Sequence, residues 1–365
     1  MNKEVSEERT SEIVREFFLG EFSFEELKYV PANHSKGDNK ELADLIIDYG
    51  DKTIAFQIKG RRGEPVPGGD RKWVECKIND AKNQLVNTLE QYSKYEIPQF
   101  INGKGDRCTL KKGGAYIGFI ILYYEAIEDF MSIVSCNRID WLFLCFTYND
   151  FKICCEKLVI PRDIIEYLEF RKKIIQPDKI CNADEELLAE EFLCGKYGTS
   201  NFDLHELDTF RWFLKTYQSR LVEGENNQYR DVLQIFLELD RAGIDAFSRR
   251  IANIIDLARN KKVSDSNYIV PQDKNSSSFL FLASNGFDKE YIERLTFLFM
   301  YKTRSNKCLS VVAYFENKDD IEFRLDWMYI ERDWEYDKLL EEVCNSLEVK
   351  KKWNPAWILT HKVNK

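Results

Sequence analysis

Asp44, Gln57 and Lys59 are the residues whose types and spacing bear most directly on chemistry. They lie in "ELADLIIDYGDKTIAFQIKGRR", residues 41–62, which reads as two strands around a tight turn. Gly50 followed by Asp51 suits a two-residue type II′ loop, glycine taking the positive φ the turn requires. In that register opposed positions sum to 101, so Tyr49 faces Lys52, Asp48 faces Thr53 and Asp44 faces Gln57. Directly opposed side chains have Cβ atoms roughly 4.5–5.5 Å apart. Alternation then puts Lys59 on the face of Gln57 and Asp44, and Leu45, Ile47, Ile54, Phe56 and Ile58 on the other.

Such a trio suits metal-assisted hydrolysis. Mg²⁺ takes hard oxygen ligands and keeps several waters, and the Asp44 carboxylate, the Gln57 side-chain carbonyl and the backbone carbonyl of Ile58 are oxygens of that kind. Lys59 would stand beside the attacking water and stabilise charge on a phosphate. The plainer alternative is an exposed cross-strand salt bridge between Asp44 and Lys59, worth at most about 1 kcal/mol.

At these residues the sequence resembles the PD-(D/E)XK nuclease superfamily. Asp44 matches the superfamily's catalytic aspartate on one strand of a hairpin, and "Gln57-Ile58-Lys59" matches the (E/Q)-x-K on the next. The resemblance spans roughly residues 8–150 and includes a following helix with "AKNQL" around Gln84. Gln57 stands where an acidic residue is usual, a variant similar to that of the Mrr-like restriction branch, and Ala43 stands where a proline is usual. The resemblance implies a restriction-endonuclease-like mixed sheet flanked by helices, Mg²⁺ or Mn²⁺ as cofactor, and double-stranded DNA as substrate. It further implies a setting in prokaryotic restriction or anti-phage defence. Members often add a glutamate from the first helix, and Glu12, preferred here over Glu16, is the candidate; Glu41 lies nearby.

The elements that must position these residues follow from periodicity. Residues 7–19 cluster Ile13, Val14, Phe17 and Phe18 on one helical face, and residues 73–95 place Val74, Ile78, Ala81, Leu85 and Leu89 at helical spacing. The runs 115–124 and 139–148 are apolar without alternation, as strands covered on both faces are, with a helical turn expected between them. Pro161 opens a further helix. The chain thus reads as α/β, with a nuclease-like domain over 1–177. An accessory domain over 178–365 follows, a helical segment and then a smaller α+β portion, for recognition, sensing or assembly. "SDSNYIVPQDKNSSS" reads as a polar loop within it.

Bulk properties bound the reading. With 365 residues, 44% of them apolar, a sizeable core can form. A formal charge of -9 excludes a surface coated throughout for nucleic acid or anionic membrane, so any such site is a patch. Arg61, Arg62, Arg71 and Lys72 supply one patch beside Lys59, with Lys77 and Lys82 behind it, and Lys104, Arg107, Lys111 and Lys112 form a second. Basic loops of this kind clamp phosphates without reading bases. The ten cysteines contain no CxxC pair and read as buried free thiols, and the three histidines show no ligand spacing. The charged N-terminus is unlike a secretory signal, and the longest apolar runs are too short to span a bilayer, so a cytoplasmic location and no membrane partner are expected. Two functional classes follow: a metal-dependent nuclease, as a homo-oligomer or with a defence-system partner, or a catalytically inactive relative that binds nucleic acid or protein.

Overall fold

A strand that is apolar on both faces has to lie inside a sheet with layers above and below it. The computed structural model of the chain puts residues 115–123 and 142–147 in that position. It describes residues 3–25, 28–29, 40–49, 52–61, 69–94, 100–102, 107–108, 115–124, 131–135, 142–174, 180–181, 184–201, 204–219, 228–269, 277–317 and 322–346. These fall into two compact units, Met1–Asn201 and Phe202–Lys365. Among the described residues no helix is long and apolar enough to cross a membrane.

The first unit runs α1 (Lys3–Phe18), β1 (Ser23–Glu25), β2 (Leu45–Tyr49), β3 (Lys52–Gly60), α2 (Gly69–Lys94), β4 (Ala115–Tyr123), β5 (Met131–Ser135), β6 (Leu142–Thr147), α3 (Tyr148–Leu158), α4 (Pro161–Ile174), β7 (Ile180–Cys181) and α5 (Glu185–Tyr197). Its strands lie in the order β1-β2-β3-β4-β6-β5-β7. β2–β3 is antiparallel, β3–β4 and β4–β6 are parallel, and β6–β5 is antiparallel, so the sheet is mixed. The helical turn expected between the two apolar runs is instead β5. Its Met-Ser-Ile-Val-Ser sequence alternates too briefly to announce a strand, and pairing to the edge of β6 decides its conformation.

The two sheet faces are built differently. Under α2, Ile46, Ala55, Ile120, Leu122, Phe143 and Cys145 pack with Val74, Ile78, Ala81 and Leu85. On the far side Phe56, Phe119 and Phe146 surround Phe151 of α3, with centroids 4.9–6.1 Å apart. α1 joins that far side: Phe18 meets Tyr49 edge-on at 6.3 Å. Thr147 caps α3, its hydroxyl accepting from the Asp150 N–H.

α5, held against α4, extends the first unit past the boundary expected near residue 177. The physical tie is a fully buried polar group. Arg171 stacks on Phe146 at 4.0 Å, donates to the Cys145 carbonyl at 3.1 Å and pairs with Glu185 of α5 at 3.3 Å, while the Tyr167 hydroxyl donates to the same carboxylate. Burial pushes the Glu185 carboxyl above its usual range, against the pull of Arg171.

The second unit contains α6 (Leu204–Ser219), α7 (Gln228–Leu237), α8 (Arg241–Arg259), β8 (Ser264–Ile269), β9 (Ser278–Asn285), α9 (Lys289–Thr303), β10 (Lys307–Phe315), β11 (Arg324–Glu331) and α10 (Lys338–Ser346). A four-stranded sheet, β8-β9-β10-β11, has a parallel β9–β10 pair at its centre. Phe247 of α8 packs on Phe279 and Phe281 from one face, and Ile292, Phe299 and Met300 of α9 pack on Leu280 and Leu282 from the other. The helical segment and the sheet therefore share one core. β8 occupies part of the expected polar loop; it is an edge strand whose polar sequence hides its pairing with β9.

Seven cysteines among the described residues are free thiols, with Cys145, Cys154, Cys155, Cys308 and Cys344 buried and Cys76 and Cys194 exposed.

Gly118 of β4 makes the α2 face possible. A Cβ there would lie 2.2 Å from the Phe143 ring and 3.2 Å from Leu85. Gly118→Ala should therefore destabilise the protein by about 1–3 kcal/mol through overpacking, read as a lower urea midpoint at unchanged slope.

Candidate active site at the end of the β2–β3 hairpin

The hairpin has the register that its residue types demand. Leu45 opposes Phe56, Ile47 opposes Ile54, Asp48 opposes Thr53 and Tyr49 opposes Lys52. The turn residues Gly50 and Asp51 lie outside the described residues. Beyond Leu45 the regular ladder stops, and Asp44 makes two bonds of another kind. Its N–H donates to the Phe56 carbonyl at 3.2 Å, and its Oδ2 accepts the Ile58 N–H at 2.6 Å. N–H and C=O of one strand residue project toward the same neighbour, so the Ile58 carbonyl also faces the Asp44 side.

Asp44 and Gln57 are both buried and Lys59 is half-buried. The Lys59 ammonium donates to Gln57 Oε1 at 2.9 Å. On the β4 side these residues meet only Ile120 and Leu122 in register. The polar trio thus borders the aliphatic layer under α2 and is covered by it in part. A solvated hairpin face, as in the plain salt-bridge alternative, is not what surrounds it.

α2 adds side chains that the strand pattern does not reveal. Trp73, Lys77, Asp80, Gln84 and Thr88 follow one another at spacings of three or four, a stripe beside the helix's buried face. One end is held where Trp73 meets Tyr124 at 5.6 Å, and the other where the Thr88 hydroxyl donates to the Leu42 carbonyl. Gln84, exposed, lies on this stripe. The Lys77 ammonium donates to Asp80 Oδ2 at 2.9 Å and holds the Asp80 carboxyl below its usual range, and the charge of Lys59 adds to the effect. Lys59 therefore has an acidic neighbour across the layer.

Arg61 follows β3 and keeps its alternation. Its N–H donates to the Tyr123 carbonyl at 3.0 Å, and its guanidinium lies 5.0 Å from the Tyr124 ring centroid and 5.7 Å from that of Trp73. Arg71 and Lys72 are exposed on the first turns of α2, with Arg71 paired to Glu75 at 3.1 Å. Arg107 is exposed on a short strand. Arg62, Lys104, Lys111 and Lys112 lie outside the described residues, as does the side chain of Glu41.

Glu12 is not brought to the trio. α1 covers the opposite sheet face, where the place of a Gly60 Cβ lies 3.2 Å from Ser6 Oγ. Glu12 and Glu16 are exposed there. The charge of Glu12 is felt at Tyr148, whose hydroxyl is pushed up chiefly by burial. Tyr148 in turn packs on Tyr123 at 5.1 Å, and Tyr123 accepts from Arg9 at 2.7 Å.

Comparison with protein-family models, curated proteins and solved structures gives no match for this chain. The site's chemistry is therefore read from its own atoms. Among the described residues no three His, Cys, Asp or Glu side chains gather as a ligand group. The oxygen donors at the hairpin end are one carboxylate, one carboxamide and one strand carbonyl, a hard set of low charge that fits Mg²⁺ or Mn²⁺.

Asp44 also carries a structural bond, which governs how it should be altered. Asp44→Asn keeps an acceptor for the Ile58 N–H and should melt close to the unaltered protein. Asp44→Ala leaves that buried donor unpaired and should lose about 1–3 kcal/mol; thermal melts of the two variants side by side check this.

Proposed function

We propose that the first unit is a metal-dependent nuclease that hydrolyses phosphodiester bonds of nucleic acid, with double-stranded DNA as substrate. The observation that carries this reading is the convergence of Asp44, Gln57 and Lys59 at one strand end, with Lys59 bonded to Gln57 and Asp44 bonded to the Ile58 N–H. Asp44, Gln57 and the Ile58 carbonyl would hold Mg²⁺ or Mn²⁺. When bound, the ion supplies Lewis-acid polarisation of a phosphoryl oxygen. Lys59, its ammonium steadied by Gln57 Oε1, orients the attacking water and stabilises negative charge on the phosphate. Burial of Asp44 and Gln57 limits competing solvent and strengthens these interactions. The resemblance to PD-(D/E)XK nucleases supports the same assignment and carries the setting in restriction or anti-phage defence.

A second reading, an inactive relative that binds nucleic acid or protein, is favoured by one feature. Asp44 is the only carboxylate in the proposed ligand set, with a neutral carboxamide opposite it. The two readings differ in a direct assay. Supercoiled plasmid should be nicked or linearised with Mg²⁺ or Mn²⁺ and left intact with EDTA. Asp44→Asn and Lys59→Ala should each slow cleavage by roughly a hundredfold or more, and Gln57→Glu should retain it. Cleavage by both variants at the unaltered rate would overturn the assignment of this site. Salt-sensitive binding without metal-dependent product, in the unaltered chain and in Gln57→Glu alike, would establish the inactive reading.

A further inference from the structure

Arg61 is held in a way that a general basic loop does not require. Its guanidinium lies over both the Tyr124 and the Trp73 ring, 5.0 and 5.7 Å from their centroids, which are themselves 5.6 Å apart. Tyr124 is buried and Trp73 is half-buried. A guanidinium held over ring faces by cation–π attraction keeps its N–H donors in its own plane, in the fork geometry that meets a phosphate with two of them at once. Because Arg61 continues the alternation of β3, it shares a sheet face with Lys59 two residues earlier. Strand rise puts their Cα atoms roughly 6.6 Å apart, which is about the step between successive phosphates on a nucleic-acid strand.

We propose that Lys59 and Arg61 engage adjacent phosphates of one strand, Arg61 holding the neighbour of the phosphate to be cleaved, with Tyr124 and Trp73 as its positioning residues. This inference rests on the nuclease reading and specifies how its substrate lies: the backbone runs along the end of β3, parallel to the Gln57–Lys59–Arg61 row. The shared ligand chemistry is a phosphodiester backbone, of DNA or RNA.

The test uses the full chain carrying Asp44→Asn with Mg²⁺, so that the probe stays intact, and follows binding of a short labelled DNA duplex and its RNA counterpart across a range of salt. Adding Arg61→Ala should flatten the slope of log affinity against log salt by about 0.9 on the DNA duplex. Arg61→Lys, which keeps the charge, should preserve that slope yet bind more weakly. Trp73→Leu should also preserve the slope and lose roughly two- to five-fold in affinity. An unchanged slope in Arg61→Ala overturns this inference while leaving plasmid cleavage, and with it the nuclease reading, untouched. Failure of the parent to bind either duplex overturns both.

Discussion

A strand pair has a side-chain period of two, so its register decides which residues can share chemistry. Were β2 to slip by one residue against β3, Asp44 would leave the face of Gln57 and Lys59. Its own neighbours prevent the slip: Leu45, Ile47, Ile54, Phe56 and Ile58 are all buried on one face, and a slip would push polar groups among them. The aromatic packing of Phe56 on Phe119 and Phe151 adds to that resistance, because those rings are fixed by β4 and α3. The site is thus held by the apolar face that it does not occupy.

The polar residues of the site stand toward one end of the sheet's α2 face. Along the α2 face, Ile46 and Ala55 fill the middle of the hairpin and pack beneath Val74, Ile78 and Ala81. Asp44, Gln57, Lys59 and Arg61 gather toward the end where β3 leaves the sheet. There Asp44 departs from the ladder, and its carboxylate takes the place of a backbone partner for Ile58. The same bond that lets the strand end without an orphaned N–H also fixes the carboxylate beside Gln57.

Which parts of this were legible in the sequence follows from how local the signals are. The hairpin register and the helix from Pro161 follow from apolar periodicity and turn residues alone. β5 and β8 are not legible, since both are edge strands with short or polar sequences stabilised by their partners. The place of α5 in the first unit depends on Glu185 meeting Arg171, a contact made by the fold and invisible to spacing. At the site, Trp73, Tyr124 and Asp80 were missed for the same reason: each reaches Lys59 or Arg61 from a different element. The i, i+3 and i, i+4 spacing through Trp73, Lys77, Asp80 and Gln84 was available, but its value appears only once α2 is laid across β3.

The neutral residue at position 57 has a physical consequence for the fold as well as for the chemistry. A glutamate there would bring a second carboxylate beside Asp44, whose Oδ2 already accepts the adjacent Ile58 N–H, in a partly desolvated layer. Two carboxylates so placed raise the pKa of one of them, and without a cation the pair strains the hairpin. With glutamine, Asp44 and Lys59 bring one negative and one positive charge to the same face, and the carboxamide oxygen accepts from the ammonium. On the nuclease reading, the charge balance of the hairpin end would shift when a divalent cation and a phosphate arrive together. An ion held by fewer charges binds more weakly, so on the same reading its occupancy would depend on the substrate's own oxygens completing the ligand set.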